Sequence, residues 1–157
     1  QIQALWSVLF ALPIWAAAAA PSTDGLAWHD WAGLAVWIAA LRGEAVADRQ
    51  LARFRAQVAN QGEVCNIGVW AWSRHPNYFF EWLHWFAYVL IAWGTAHWWV
   101  TLTGVVLMYF FLTRVTGIPW TEQQALRSRG DAYRQYQQTT PAFFPSRPSR
   151  RETNTKK

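Results

Sequence analysis

Four apolar stretches, separated by polar or turn-forming segments, set the pattern of this 157-residue chain. They are Ala4–Ala20, broken only by Ser7 and Pro13; Leu26–Leu41, with His29 and Asp30 near its start; Tyr78–Trp93, with Glu81 and His84 inside it; and Trp98–Thr113. A membrane-crossing helix needs about 20 residues, with a lower limit near 17, so each stretch must recruit flanking residues or tilt. Four such stretches leave too little polar face for a soluble helical bundle. The pattern therefore predicts an all-α fold, a polytopic membrane helix bundle of about four spans, with cytosolic connecting and C-terminal helices. Residues 1–145 form the membrane domain. Residues 146–157 are polar, proline-bearing and basic, and read as a flexible tail.

Composition reinforces this picture. Only 15% of residues are charged, against about 25% in ordinary soluble domains, and thirteen are tryptophan, the residue favoured where bilayer meets water. The mean hydropathy of −0.03 understates the apolar character, because tryptophan scores poorly on common scales and the polar tail dilutes the average. A single cysteine, Cys65, excludes an internal disulfide framework and a cysteine-based zinc site. All fourteen lysines and arginines fall between the second and third stretches or after the fourth. The turns at Pro21–Gly25 and Gly94–His97 hold none, so the positive-inside rule puts both basic regions and the C-terminus in the cytosol. Membrane topology and anionic lipid then account for the net charge of +5, and nucleic-acid binding is not needed. The first stretch lacks the basic lead-in of a signal peptide. Gln1 is not an initiator methionine, and a longer protein is the expectation.

Polar residues in apolar surroundings carry the chemistry. In Ser73-Arg74-His75-Pro76-Asn77-Tyr78-Phe79-Phe80-Glu81, Pro76 biases His75 away from helix and predicts a helix start at or just after itself. Helical spacing then puts Asn77, Glu81, His84/Trp85 and Tyr88 on one face. An ionisable side chain inside a span costs a few kcal/mol on insertion scales and faces a cavity or a partner, so Glu81 marks a polar wall or an ion pair, for which Arg74 is the nearest candidate. His84 reads as a hydrogen-bonded packing residue. In Asp48-Arg49-Gln50-Leu51-Ala52-Arg53-Phe54-Arg55 the second span runs on as a helix, with Asp48, Leu51/Ala52 and Arg55 on one face. Arginine's planar fork suits phosphate and a carboxylate suits a ribose hydroxyl; a lipid-facing charge stripe is the alternative. A third group follows Pro119: Thr121 and Gln124 fit a capping box. Glu122, Leu126, Arg129 and Tyr133 share a face that Gly130 loosens, with Tyr136 beyond and Gln137–Pro145 leaving as an extended arm. A helix lying on the bilayer fits these residues as well. There is no glycine-rich phosphate loop and no metal-ligand spacing.

Taken in order, the three clusters resemble the C-terminal region of the steroid 5-alpha-reductase-like membrane proteins. The resemblance spans about Trp37 to Pro145. It rests on Asp48-x-Gln50-x-x-x-Phe54-Arg55, on Ser73-Arg74-His75-Pro76-Asn77-Tyr78 with Glu81, and on Gly117-Ile118-Pro119 through Tyr133, Tyr136 and Phe143-Phe144-Pro145. It implies a membrane reductase that takes NADPH from the cytosolic side, with Asp48, Arg55, Arg74, Asn77, Glu81, Tyr133 and Tyr136 in the cofactor pocket and Trp85 facing the substrate. The substrate it implies is an apolar enone, such as a 3-oxo-steroid or another lipid, whose carbon–carbon double bond accepts hydride. Two departures stand out. Phe80 occupies the position before the glutamate where the family usually has glycine, and nothing in this chain matches the earlier helices that carry the reductases' catalytic glutamate and tyrosine. The catalytic acid is therefore unknown. Isoprenylcysteine carboxyl methyltransferases, which use S-adenosylmethionine, are similar in their Arg-His-Pro-x-Tyr segment, and a non-catalytic membrane protein is a third expectation.

Overall fold

A computed structural model describes residues 2–19 and 25–148. Most of the Pro21–Gly25 turn and most of the basic tail lie outside the described residues. What is described is all-helical, without strands. The helices are α1 (Ile2–Ala18), α2 (Trp28–Ala56), α3 (Pro76–Leu83), α4 (Trp85–Ile91), α5 (Leu102–Phe110) and α6 (Gly117–Thr139). Short 3-10 turns cover Val58–Asn60, Gly68–Ala71 and Trp98–Thr101, and one π-helical turn, Phe111–Val115, joins α5 to α6. The stretch Trp98–Thr139, 42 residues long, contains the one segment among the described residues long and apolar enough, by length and composition, to cross a membrane; Ala4–Ala18 is a shorter apolar helix.

Two sequence expectations about α2 and α3 hold. The second apolar stretch does run on into its charged continuation as a single helix of 29 residues, and Pro76 is the first residue of α3, where its missing N–H leaves no bond unmade. The third stretch is not one helix: it breaks at His84 into α3 and α4. The ring explains why. His84 Nδ1 donates to the Glu81 carbonyl at 2.8 Å and so competes for the oxygen that a continuous helix would give to the Trp85 amide.

The α3–α4 pair is the centre of the bundle. Helix α2 packs along both α3 and α4, while α1 and α5 pack on each other and on α4. Close approach comes from glycine set against a large ring or side chain. A Cβ on Gly43 of α2 would fall within the Phe80 ring's contact shell, one on Gly33 would lie 2.8 Å from Ile91, and one on Gly104 of α5 would collide with the Trp85 ring and with Pro13 of α1. Pro13, fully buried, thus sits at a helix crossing. The indole of Trp82 adds a directed tie, donating to the Val105 carbonyl of α5 at 3.0 Å.

Large apolar side chains cover the outside. Val8, Leu12, Leu34, Ile38, Val106 and Phe110 are exposed along the helices. Exposed tryptophans gather towards the ends. Trp15, Trp28, Trp31, Trp93 and Trp99 lie where the α1 C-terminus meets His97 and the α2 N-terminus meets Ile91; Trp72 and Trp120 belong to segments beyond the other end of the bundle.

The Gly43–Phe80 contact yields a sign-changing test. Gly43→Ala overpacks the wild-type interface and lowers stability by about 1–3 kcal/mol. In a Phe80→Ala background the same change becomes neutral or stabilising, because alanine exceeds glycine in helix propensity by about 1 kcal/mol. Denaturant unfolding in detergent measures both arms; equal losses in both backgrounds would show that the two residues do not oppose each other.

Candidate functional site

Where α2 leaves the bundle, α3 begins and α6 crosses beneath, the chain forms a half-open cavity of about 510 Å³. Helix α2 contributes Leu51, Phe54 and Arg55, the start of α3 contributes Asn77 and Tyr78, and α6 contributes Gln124, Arg129, Tyr133 and Tyr136. The connecting segment Glu63–Cys65 closes one side. Each wall is fixed by a side chain reaching the backbone. The Trp70 indole donates to the Ala47 carbonyl at 2.9 Å and Gln50 Oε1 accepts the Val69 amide at 3.0 Å, which holds the 68–71 turn on α2. The Tyr136 hydroxyl donates to the Trp70 carbonyl and lies 3.3 Å from the Ser73 carbonyl, which holds α6 to the same turn.

The charged centre of this region is Glu122. Its Oε1 accepts Arg74 Nε at 2.7 Å and lies 3.3 Å from His75 Nε2, and its Oε2 accepts Gln137 Nε2 at 2.8 Å. Arg74 Nη1 also donates to the carbonyls of Gln137 (3.1 Å) and Thr140 (2.5 Å). The extended arm is paired back onto this turn: the Arg74 amide donates to Pro141 at 2.9 Å, Ser73 Oγ to Phe143 at 2.9 Å, and the Ser146 amide to Trp72 at 2.9 Å. Burial alone would raise the Glu122 pKa. Hydrogen bonds from His75 and Arg74, the Arg74 charge and the Gln137 amide outweigh it and hold the carboxyl at about 2. Burial, and then the Glu122 charge, push Tyr133 up to about 12, and burial with the neighbouring Tyr133 pushes Tyr136 up as well. Both phenols are neutral donors at physiological pH.

The residues singled out from sequence divide into three groups. Arg55, Arg74, Asn77, Tyr133 and Tyr136 all line the cavity. Asp48 and Glu81 are not among its lining residues. Asp48 Oδ1 accepts Asn77 Nδ2 at 3.2 Å, and Glu81 lies one turn further along α3. Trp85 lies away from the cavity, buried among Phe10, Val89 and Val105, and its indole N–H has no partner among the described residues. The ion pair of Arg74 is made with Glu122, not with Glu81. Thr121 is not a helix cap: α6 begins at Gly117, and Thr121 Oγ1 bonds back to the Gly117 and Ile118 carbonyls at 2.9 and 3.1 Å. Gly130 interrupts α6 with φ 53°, as its position suggested.

Several cavity residues carried no legible signal. Glu63, Val64 and Cys65 lie in an irregular segment without periodicity, and Trp70 read as one more interfacial tryptophan. Arg129 was visible as part of the α6 face, but not as a wall residue opposite Arg55. Among the described residues no group of three or more histidine, cysteine, aspartate or glutamate side chains could hold a metal ion.

A family model described as a protein of unknown function, DUF1295, matches residues 1–140. The chain belongs to the DUF1295 family. That match takes in both arginine-bearing walls of the cavity and all of α6, so this DUF1295 site lies within the shared region up to the arm at Pro141–Pro145. Neither a curated protein nor a solved structure matches the chain significantly.

Glu122 makes the acid stability of this DUF1295 chain testable. Its pKa is depressed from 4.5 to about 2, so its contribution is fully present above about pH 4.5 and is lost as pH falls towards 2. The shift corresponds to about 3 kcal/mol. Glu122→Gln therefore lowers stability by roughly that amount at neutral pH and flattens the difference from wild type below pH 3. Urea unfolding across pH measures it; a constant offset at every pH would show that the carboxylate's charge is not what holds the turn.

Proposed function

We propose that this protein is a multi-pass membrane reductase of the steroid 5-alpha-reductase-like type, which binds NADPH in the cytosol-facing cavity and delivers hydride to the double bond of an apolar enone. The observation that carries the reading is the polarity of the cavity. At its outer end Arg55 and Arg129 present cations. On the α3 side it is lined by an acceptor, the Asn77 Oδ1 atom, buried and without a partner among the described residues; Asp48 holds the Asn77 amide from outside the lining. A ligand with phosphates at one end and a carboxamide donor at the other complements both. Arginine suits the phosphates through its bidentate fork, and a carboxamide N–H satisfies a buried amide oxygen that is costly to leave unpaired.

On this reading Tyr133 and Tyr136 form the wall beneath the cofactor, Arg74 shapes the turn rather than meeting phosphate directly, and Trp85 stands towards the apolar substrate beyond Glu81. The exposed apolar side chains and tryptophans support a bundle embedded in lipid, and the arginines of the cavity end support a cytosolic C-terminus. Hydride addition to an enone places charge on the carbonyl oxygen, which must be stabilised. No residue here is assigned that role, so these 157 residues alone bind cofactor and reduce enones slowly. S-adenosylmethionine, the ligand of the methyltransferase alternative, carries one carboxylate beside its ammonium and sulfonium cations and no phosphates, so it offers the two arginines a single anionic group.

Fluorescence titration with NADPH tests the cofactor. Arg55→Ala weakens binding roughly tenfold to a few hundredfold, as expected for a charge-assisted contact of about 1.5–3 kcal/mol, without loss of the folded state. Tight S-adenosylmethionine binding with no NADPH binding would transfer the protein to the methyltransferase reading. For topology, single cysteines at Thr95 and Gln123 in a Cys65→Ala background label from opposite sides of sealed vesicles; labelling from one side contradicts the spans.

A further inference from the structure

We propose that residues 61–68 form a hinged lid over one side of the cavity and that Arg129 is its latch, so that release of this segment widens the mouth by which ligand enters. The inference builds on the cofactor reading for the identity of the ligand, but the lid itself stands on the ligand-free geometry.

Both ends of the segment are glycines with left-handed backbone, Gly62 at φ 83° and Gly68 at φ 56°. Such positions concentrate the dihedral freedom that a hinge needs. Between them only two side chains turn inwards. Cys65 is buried against Ala47 and Trp70, and Val64 packs on Ala125, Tyr133 and Tyr136. Gln61, Glu63, Asn66 and Ile67 are exposed. The directed tie to α6 is a single one among the described residues: Arg129 Nε donates to the Glu63 carbonyl at 2.9 Å. Gly130 aims it, because its φ of 53° interrupts α6 immediately after Arg129. A segment with little buried apolar surface and one polar tether opens locally at far lower free energy than the bundle that frames it. The same guanidinium lines the cavity. A phosphate-bearing ligand therefore meets the latch from inside, and the donors left free after the Glu63 bond let it hold the lid shut over bound ligand.

The single cysteine supplies the readout. Cys65 is on the lid's inner face, buried against Ala47 and Trp70, so its alkylation rate in the folded, detergent-solubilised chain reports opening. Arg129→Ala should raise the labelling rate by about fivefold to tenfold, the effect of losing roughly one hydrogen bond to a charged group. Gly62→Ala, which strains the closed backbone, should raise it too, while Arg127→Ala, an exposed arginine on the same helix, should not. The direction is diagnostic. The Arg129 charge draws the thiol pKa down against the upward effect of burial, so loss of that charge alone would slow labelling.

Equal rates in wild type and Arg129→Ala, or wild-type labelling as slow as global unfolding, would overturn the lid. NADPH at saturation should protect Cys65 in wild type. Faster labelling in Arg129→Ala without NADPH protection keeps the lid and removes the cofactor reading. NADPH protection without any effect of Arg129→Ala or Gly62→Ala keeps the cofactor and removes the lid.

Discussion

The ion pair of Arg74 with Glu122, at 2.7 Å, is the contact on which the cavity-bearing half of this protein depends. Three chain segments far apart in sequence meet there: the turn before α3, the body of α6 and the arm that follows it. Arg74 also satisfies two carbonyls at the end of α6, which a helix C-terminus leaves without partners. The pair is only slightly exposed, and a buried pair of this kind is weak evidence for net stability but strong evidence for geometry, since removing one partner leaves the other charge uncompensated. Its consequence is positional. With the turn fixed, Asn77 and Tyr78 face the cavity on one side of α3 and Phe79 enters the aromatic cluster of Trp82 and Phe143 on the other.

A second constraint acts in the apolar half, where directed bonds are few. Helices approach where a glycine lies opposite a ring, and the pairing of Gly43 with Phe80 is informative. The resemblance noted in the sequence leads one to expect glycine before the α3 glutamate. Here Phe80 stands on α3 and the small residue, Gly43, lies opposite it on α2, so the interface has a large–small match. The apparent departure at Phe80 is thus accommodated by α2, and Glu81 remains one turn beyond Asn77.

The cavity joins these two regimes. Its lining combines phenols that burial and the Glu122 charge keep neutral with the Arg55 and Arg129 cations and the Asn77 acceptor. Cations and a buried acceptor around one half-open volume narrow the class of ligand more sharply than any single residue does. The irregular segment between Gly62 and Gly68 closes it with few contacts, which suits a wall that must move.

What the sequence determined by itself was local. Hydrophobic runs and the positions of glycine and proline gave the helical class, the long α2, the start at Pro76 and the irregularity at Gly130, because each depends on backbone preference within a few residues. Helical spacing also grouped Asp48 with Arg55 and Asn77 with Glu81. The tertiary structure decided which partner each charge took. Arg74 could have met Glu81 by proximity along the chain, yet it meets Glu122, 48 residues away, because the returning arm brings α6 beneath the turn. It also decided the break at His84, which rests on one side chain taking a backbone carbonyl, and the roles of Cys65 and Arg129, which follow only from the path of a loop. Periodicity carries no information about such a path, since its course is set by what it closes over.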